Sequence, residues 1–104
     1  VGRASGVSLP ATSPLALLAL CAAGLAAAGR VAEIGSRLAV SDAGCAAAIL
    51  RGALEAAALN VLVNTKTMTD RSAADHLNAR CFALLDQGRT EGERIFCAVR
   101  DQLV

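Results

Sequence analysis

The sequence contains no tryptophan or tyrosine, and phenylalanine occurs only twice. β-Strands are enriched in aromatic and β-branched residues, and half-buried strands alternate apolar and polar side chains. No sustained alternation of this kind occurs here, which argues against a β-sheet. The chain is therefore predicted to be all-α.

Basic clusters are also missing. The net charge is +1, and lysine and arginine form no run and do not interleave with aromatic residues. A nucleic-acid-binding surface normally needs such a basic patch, so we exclude nucleic acid as a partner.

Metal-binding spacings are absent as well. The four cysteines, Cys21, Cys45, Cys81 and Cys97, stand singly, and the one histidine, His76, has no cysteine at a zinc-ligand spacing. We expect buried free thiols, typical of a protein in the reducing cytoplasm, and a histidine on the surface. A disulfide between Cys81 and Cys97 stays open as an alternative.

What the sequence does contain is alanine, at 24 of its 104 positions, within a hydrophobic fraction of 55%. A core of small side chains lets helices pack closely. We therefore expect one domain over residues 1–104, folded as an antiparallel bundle of about three main helices. The alanine-rich faces over 15–28 and 43–58 exceed what three helices can cover, so oligomerisation should complete the bundle.

Residues that typically begin or end helices predict the helix boundaries. Residues 1–13 predict a loose lead-in, and Ser13 followed by Pro14 predicts the start of a first helix over 14–36. A threonine-rich stretch predicts a loop over 65–69. Thr69 or Asp70 then caps a last helix that runs to about residue 102.

The central helix, which we expect to begin at Ser41, carries the most informative polar residues. Ser41 predicts its N-cap and Asp42 lies in its predicted first turn. At about 3.6 residues per turn, Asn60 and Asn64 share a stripe with Asp42. Arg51 and Glu55 lie on the opposite side, where their spacing of one turn predicts a local ion pair.

Two stretches resemble a known family: SDAGCAAA at 41–48 and ALEAAALNVLVNTKTMTD at 53–70. They are similar to the cyclodeaminase/cyclohydrolase family, which includes the cyclodeaminase part of formiminotransferase-cyclodeaminase and the bacterial methenyltetrahydrofolate cyclohydrolases. The resemblance is strong over about 31–104 and looser over 9–30. Within it, the matching features are the SDAG opening, the Asn60 and Asn64 pair, and the aspartate that starts the last helix.

The resemblance implies folate chemistry. A cyclodeaminase converts 5-formiminotetrahydrofolate to 5,10-methenyltetrahydrofolate and ammonia, and a cyclohydrolase opens the methenyl bridge with water. Both pass through a cationic carbon and neither requires a metal, so Asp42 is the candidate catalytic carboxylate. Asn60 and Asn64 are candidate substrate-binding amides, and Lys66 is a candidate contact for the glutamate tail of the folate.

Each of these residues has a simpler interpretation. Asp42 could serve only as a helix cap, the two asparagines could bridge neighbouring helices, and Lys66 could be a solvated loop residue. A distance argument also applies: the rise of 1.5 Å per residue separates Asp42 from Asn60 by about 27 Å. The two residues must serve opposite ends of the helix, or meet across a dimer whose helices run antiparallel.

The chain also departs from the family. Relatives carry a glycine-rich Pro-Gly-Gly-Gly-Ser-like motif in an N-terminal half, and residues 1–30 contain nothing similar. The chain therefore resembles the C-terminal half of the family domain, either as a fragment or with the missing segment supplied by a homodimer or a partner chain.

Two other interpretations stay open. One is a non-catalytic helical oligomerisation module, which keeps the bundle but lacks half of the site. The other is a membrane-associated protein built on the uncharged run 15–29. That run is shorter than the ~20 residues a membrane span needs, so we expect no membrane partner.

Overall fold

The computed structural model describes residues 9–104, with side chains from residue 13 onward. Three helices run antiparallel: α1 (Leu9–Ile34), α2 (Arg37–Lys66) and α3 (Arg71–Leu103). Each helix contacts the other two, and residues 9–104 contain no strand. The predicted all-α bundle of three helices is confirmed.

The first helix begins earlier than predicted. Residues 9–13 belong to α1, so Ser13 is not its cap and Pro14 lies inside it. The proline ring holds φ near the helical value, so the helix continues through Pro14 at the loss of a backbone hydrogen bond near its end. The rest of the predicted lead-in, residues 1–8, lies outside the described part of the chain.

The start of α2 also differs from the prediction. Ser36 is the N-cap, with extended backbone angles, and its Oγ accepts a hydrogen bond from the N–H of Ala39 at 3.4 Å. Only Gly35 and Ser36 separate α1 from α2. Ser41 is therefore not a cap, and Asp42 lies in the second turn. The chain leaves α1 at Gly35, so the serine next to that break meets the capping geometry first.

The other boundaries agree more closely. Asp70 caps α3 as predicted, and its Oδ1 accepts a hydrogen bond from the N–H of Ala73 at 3.0 Å. The helix ends at Leu103, one residue beyond the predicted end. The predicted loop over 65–69 is shorter than expected, because Thr65 and Lys66 complete the last turn of α2.

The core contains leucine and small side chains from all three helices. Its fully buried members include Leu18, Leu25, Leu54, Val61 and Ile95. All four cysteines are free, but Cys45 is exposed and Cys97 is only partly buried, which corrects the expectation of four buried thiols. Burial raises the pKa of the Cys81 thiol.

Close packing between α2 and α3 depends on three glycines. A Cβ atom on Gly44 would lie 2.9 Å from Val99 Cγ1, and one on Gly92 would lie 3.1 Å from Arg51 Cδ. A Cβ atom on Gly88 would overlap the side chain of Leu54, which is fully buried. Larger side chains at these positions would force the two helices apart.

The ion pairs of Arg51 and Glu55 join α2 to α3 rather than neighbouring turns of α2. Arg51 Nη1 lies 2.8 Å from Glu93 Oε1, and Arg89 Nε lies 3.2 Å from Glu55 Oε2, so the predicted Arg51–Glu55 pair is wrong. The side chain of Arg51 crosses Gly92, which directs its guanidinium to α3. Its hydrogen bond is the main cause of the lowered pKa of Glu93. Because these pairs are exposed to solvent, water and salt screen them and they contribute little to stability.

Much of the apolar surface lies outside this core. Two helical stretches are long and apolar enough to cross a membrane, by length and composition. They are Ser13–Ile34, with a mean hydropathy of 1.9, and Arg37–Lys66, with a mean hydropathy of 1.6. Only 39% and 28% of their most apolar stretches are buried inside the bundle. Helices of a bundle that packs against further protein would satisfy the same criteria of length and hydropathy.

The glycine packing yields a stability prediction. Gly88→Leu should lower the free energy of unfolding by about 1–3 kcal/mol, because Leu54 is fully buried and cannot move aside. Chemical denaturation followed by circular dichroism measures this change.

The matched control is Ala79→Leu, at an exposed position of the same helix, which should change the unfolding free energy by no more than about 0.5 kcal/mol. Adding Leu54→Ala to Gly88→Leu should recover part of the loss by vacating the contested space. Equal effects of the two leucine substitutions would show that the close approach at Gly88 is not important for stability.

Candidate functional site

Asp42 lies on the outer side of α2, away from the bundle core. The helix buries Val40, Ala43, Gly44 and Ala47 around it, whereas Asp42 itself is exposed. Because Ser36 caps the helix, Asp42 has no capping role. Its carboxylate is therefore available to a ligand or to another chain.

A groove runs beside Asp42, between the N-terminal half of α2 and the C-terminal end of α3. Its volume is about 340 Å³, and it is lined by Ser41, Gly44, Cys45, Ala48, Phe96, Val99, Arg100, Leu103 and Val104. Small-molecule sites commonly fall between about 300 and 1,000 Å³. The first four lining residues belong to the 41–48 stretch that carries the family resemblance, and one of them, Ser41, precedes Asp42 in the sequence.

Asn60, Asn64 and Lys66 lie near the other end of α2. Asn60 Nδ2 donates to the carbonyl of Ala56 at 3.0 Å, and Asn64 Nδ2 donates to the carbonyl of Asn60 at 2.9 Å. The amide oxygen of Asn60 keeps the capacity to accept hydrogen bonds. Asn60 and Lys66 are exposed, and Asn64 is partly buried. These three residues form a polar end to an otherwise apolar helix.

A hydrogen-bond network holds this polar end in place. The Thr65 hydroxyl, buried between α2 and α3, donates to Asn78 Oδ1 at 2.6 Å and also lies 3.3 Å from the Leu62 carbonyl. Arg71 Nη1 donates to the carbonyls of Thr65 and Met68 at 2.9 and 3.0 Å. Arg71 therefore satisfies carbonyls at the end of α2 and complements the negative end of its dipole.

Sequence reasoning missed Thr65, Arg71 and Asn78. One signal was present: an arginine at the first position of a helix opposes the helix dipole unless it serves another element. The predicted loop over 65–69 includes Thr65, so the sequence pattern does not indicate that this residue lies between two helices.

The structure brings three of the four candidate residues together and leaves the fourth apart. α2 is one continuous helix from Arg37 to Lys66, so the rise of 1.5 Å per residue keeps Asp42 about 27 Å from Asn60. Within one chain, the carboxylate and the two amides cannot contact the same small ligand. Each chain therefore presents two separate groups of candidate residues, one near each end of α2, which we call half-sites.

No metal centre is evident among the side chains described. Over residues 13–104, no three His, Cys, Asp or Glu residues group closely enough to hold a metal ion. His76 is exposed, as predicted. The chemistry available at the two half-sites is that of a carboxylate, amides and an ammonium group.

Comparison with protein families gives a match over most of the chain. The family model for formiminotransferase-cyclodeaminase matches residues 5–83. The matched range contains both half-sites and the complete α2 helix.

A methenyltetrahydrofolate cyclohydrolase from Methylorubrum extorquens is also similar. It is 36% identical over 90 residues, which cover 86% of this chain and 43% of the relative. The chain therefore spans less than half the length of that relative.

The buried network at the end of α2 can be tested directly. Thr65→Val keeps the side-chain shape but removes the hydroxyl that bonds to Asn78, and should lower the unfolding free energy by about 1–3 kcal/mol. Thermal and chemical denaturation measure the loss. Thr90→Val, at an exposed position of α3, is the control and should change stability by no more than about 0.5 kcal/mol.

A double-mutant cycle with Asn78→Leu isolates the interaction. The two single changes should be coupled by about 0.5–3 kcal/mol, because each removes the same hydrogen bond. Strict additivity would contradict the importance of the Thr65–Asn78 contact.

Proposed function

Because the chain belongs to the formiminotransferase-cyclodeaminase family, we propose that it acts on the one-carbon unit that bridges N5 and N10 of tetrahydrofolate. The reaction is hydrolysis of 5,10-methenyltetrahydrofolate to 10-formyltetrahydrofolate. The observation that carries this choice is the 36% identity to a methenyltetrahydrofolate cyclohydrolase over 86% of the chain.

The chemistry suits a carboxylate. Water adds to the cationic methenyl carbon and loses one proton. The bond from that carbon to N5 then breaks as the second proton of the water passes to N5, and the formyl group stays on N10. A carboxylate next to the carbon would accept the proton from water and stabilise the positive charge. Asp42 is exposed on α2 and is available for this role.

The polar end of α2 suits substrate binding. Asn60 offers an amide oxygen to the N–H groups of a pterin ring, and Asn64 is the second candidate amide, one turn further along the helix. The exposed ammonium of Lys66 suits the carboxylates of the glutamate tail. Arg71 and Thr65 hold this end of the helix, which reduces the entropy lost on binding. In this proposal, Asp42 acts on the reacting carbon, and the asparagines that orient the same substrate come from a second chain, because about 27 Å separates the two groups within one chain.

Cyclodeamination is the second candidate, supported by the name of the matching family. In that reaction N10 attacks the formimino carbon, ammonia leaves, and the methenyl bridge forms. The same cationic carbon develops, so the same carboxylate would serve. We expect the glycine-rich segment that the family resemblance implies to come from outside these 104 residues, either from a longer chain of which they are part or from a partner chain.

Replacing the proposed catalytic carboxylate tests the function. With a chain carrying the glycine-rich segment added, Asp42→Asn should lower kcat for 5,10-methenyltetrahydrofolate hydrolysis by about 10²–10⁴-fold, the range typical of general acid-base catalysis. KM should change little, because the charge interaction is strongest in the transition state. The rate is followed by the loss of methenyl absorbance.

Asp75→Asn is the control, since Asp75 is an exposed aspartate on α3 outside both half-sites, and it should leave kcat unchanged. Ammonia release from 5-formiminotetrahydrofolate in a parallel assay would select the second candidate. No turnover of either substrate by the supplemented wild-type chain would identify a non-catalytic helical module and contradict the proposal.

A further inference from the structure

Two cationic side chains flank the short connection between α2 and α3. Lys66 is the last residue of α2 and Arg71 is the first residue of α3, and both are exposed. Among the residues that the structure describes, neither of them forms an ion pair. By contrast, Arg51, Arg89 and Arg94 each have a carboxylate partner on another helix. The positive charge at this corner is therefore not neutralised by an ion pair within the described chain.

Arg71 is fixed on one side and open on the other. Its Nη1 atom donates to the carbonyls of Thr65, Lys66 and Met68 at 2.9, 3.4 and 3.0 Å. These carbonyls lie at the negative end of the α2 dipole, so the bonds cover groups that would repel an anion. In the described part of the chain, no hydrogen bond joins the Nε or Nη2 atom of Arg71 to another residue.

The Nε and Nη2 atoms of an arginine form a pair of parallel donors that suits a carboxylate. Arg94 shows this use within the same helix: its Nε lies 2.9 Å from Glu91 Oε1 and its Nη2 lies 2.7 Å from Glu91 Oε2. In Arg71 the same two atoms have no carboxylate partner among the described residues. A carboxylate of a ligand could therefore bind there with both oxygens.

The acidic residue next to this corner leaves it positive. Asp70 Oδ1 accepts the N–H of Ala73 and caps α3, and Asp70 forms no ion pair with Lys66 or Arg71 in the described structure. Two cations and one carboxylate leave a net charge of +1 at the corner. The positive end of the α3 dipole adds to this charge. The corner therefore favours an anion.

The surface of α2 that leads to this corner changes character in three steps. Asn60, Val63 and Lys66 follow one another at a spacing of three residues, which makes them neighbours on the helix surface. Asn60 is a polar amide, Val63 is apolar and 65% exposed, and Lys66 is cationic. The rise of 1.5 Å per residue separates Asn60 from Lys66 by about 9 Å along the axis. The order along this surface is hydrogen-bonding, apolar and positive.

We propose that Arg71 binds a carboxylate of the glutamate tail through Nε and Nη2, beside Lys66, while the aminobenzoyl ring of the same folate lies on Val63. The groups of a folate occur in the matching order: a hydrogen-bonding pterin, an apolar aromatic ring and an anionic glutamate. Arg71 is then a substrate-binding residue in addition to its role at the end of α2. The ligand is the substrate of the proposed function, on which this assignment rests.

The charge of the ligand separates this contact from the structural role of Arg71. Arg71→Gln keeps a donor for the α2 carbonyls but removes the charge and the Nε–Nη2 pair. Isothermal titration calorimetry measures the binding of 5-formyltetrahydrofolate, which carries no methenyl bridge, and of its uncharged α,γ-diamide. Kd for the charged ligand should rise by about 10–100-fold, as expected for lost hydrogen bonds to a charged group. Kd for the diamide should change by less than about twofold.

Arg80→Gln is the matched control. Arg80 is an exposed arginine of α3, about 14 Å further along the helix than Arg71. The substitution makes the same change of charge and should leave Kd for both ligands unchanged. If circular dichroism shows that Arg71→Gln unfolds the chain, Arg71→Lys replaces it. Arg71→Lys should still weaken only the charged ligand, because an ammonium group cannot form the paired contact.

Val63→Ser tests the contact with the ring. It should raise Kd for 5-formyltetrahydrofolate and for the diamide equally, by about 3–10-fold, because the lost contact is apolar. Ile34→Ser is the control, since Ile34 is an exposed apolar residue of α1 far from the corner in sequence, and it should change neither Kd. No effect of Val63→Ser would overturn the placement of the ring.

Three results would overturn the role of Arg71. They are equal weakening of both ligands by Arg71→Gln, equal effects of Arg71→Gln and Arg80→Gln, and no binding of 5-formyltetrahydrofolate by the wild-type chain, even with the chain that carries the glycine-rich segment added. Charge-dependent binding through Arg71 without turnover would uphold the contact and count against the proposed reaction. Turnover by the supplemented chain with an unchanged Kd in Arg71→Gln would uphold the reaction and overturn the contact.

Discussion

The close contact between α2 and α3 is the constraint on which the rest of the structure depends. Gly88 admits the buried side chain of Leu54, Gly92 lies under Arg51, and Gly44 lies under Val99. These contacts determine the rotation of α2 about its own axis. That rotation in turn decides which α2 residues enter the core and which lie on the exposed side of the helix.

The same rotation sets the electrostatics of the bundle. Arg51 and Glu55 lie one turn apart on α2, yet each is paired with a residue of α3. The two ion pairs lie along the edge where α2 and α3 meet. The rest of α3, the C-terminal helix, also carries many charged residues. The bundle therefore has a charged edge near α3, and the exposed side of α2 is apolar and almost uncharged.

The rigidity of α2 governs the functional argument. A continuous helix of 30 residues cannot bring its two ends together, so a carboxylate near one end and amides near the other cannot meet at one small site within a chain. Arg71 and Thr65 hold the C-terminal end of α2 against α3, which preserves the positions of Asn60 and Asn64. Membership of the formiminotransferase-cyclodeaminase family then supplies the chemistry that such divided half-sites would perform.

Some of this was determined by the sequence alone. The scarcity of aromatic residues and the abundance of alanine predicted an all-helical bundle, Asp70 predicted the start of α3, and the 41–70 region identified the family. These features are local in sequence or depend on composition, so no knowledge of the packing was needed.

Only the tertiary structure decided between local alternatives of similar free energy. Ser36 and Ser41 are both acceptable caps, and the position of the break after α1 selected Ser36. Arg51 could pair with Glu55 one turn away, and the glycine at position 92 of α3 turned it to Glu93. One side of α2 is likewise exposed only because the opposite side of this apolar helix packs against α1 and α3. A helix that is apolar nearly all round does not itself specify which side it buries.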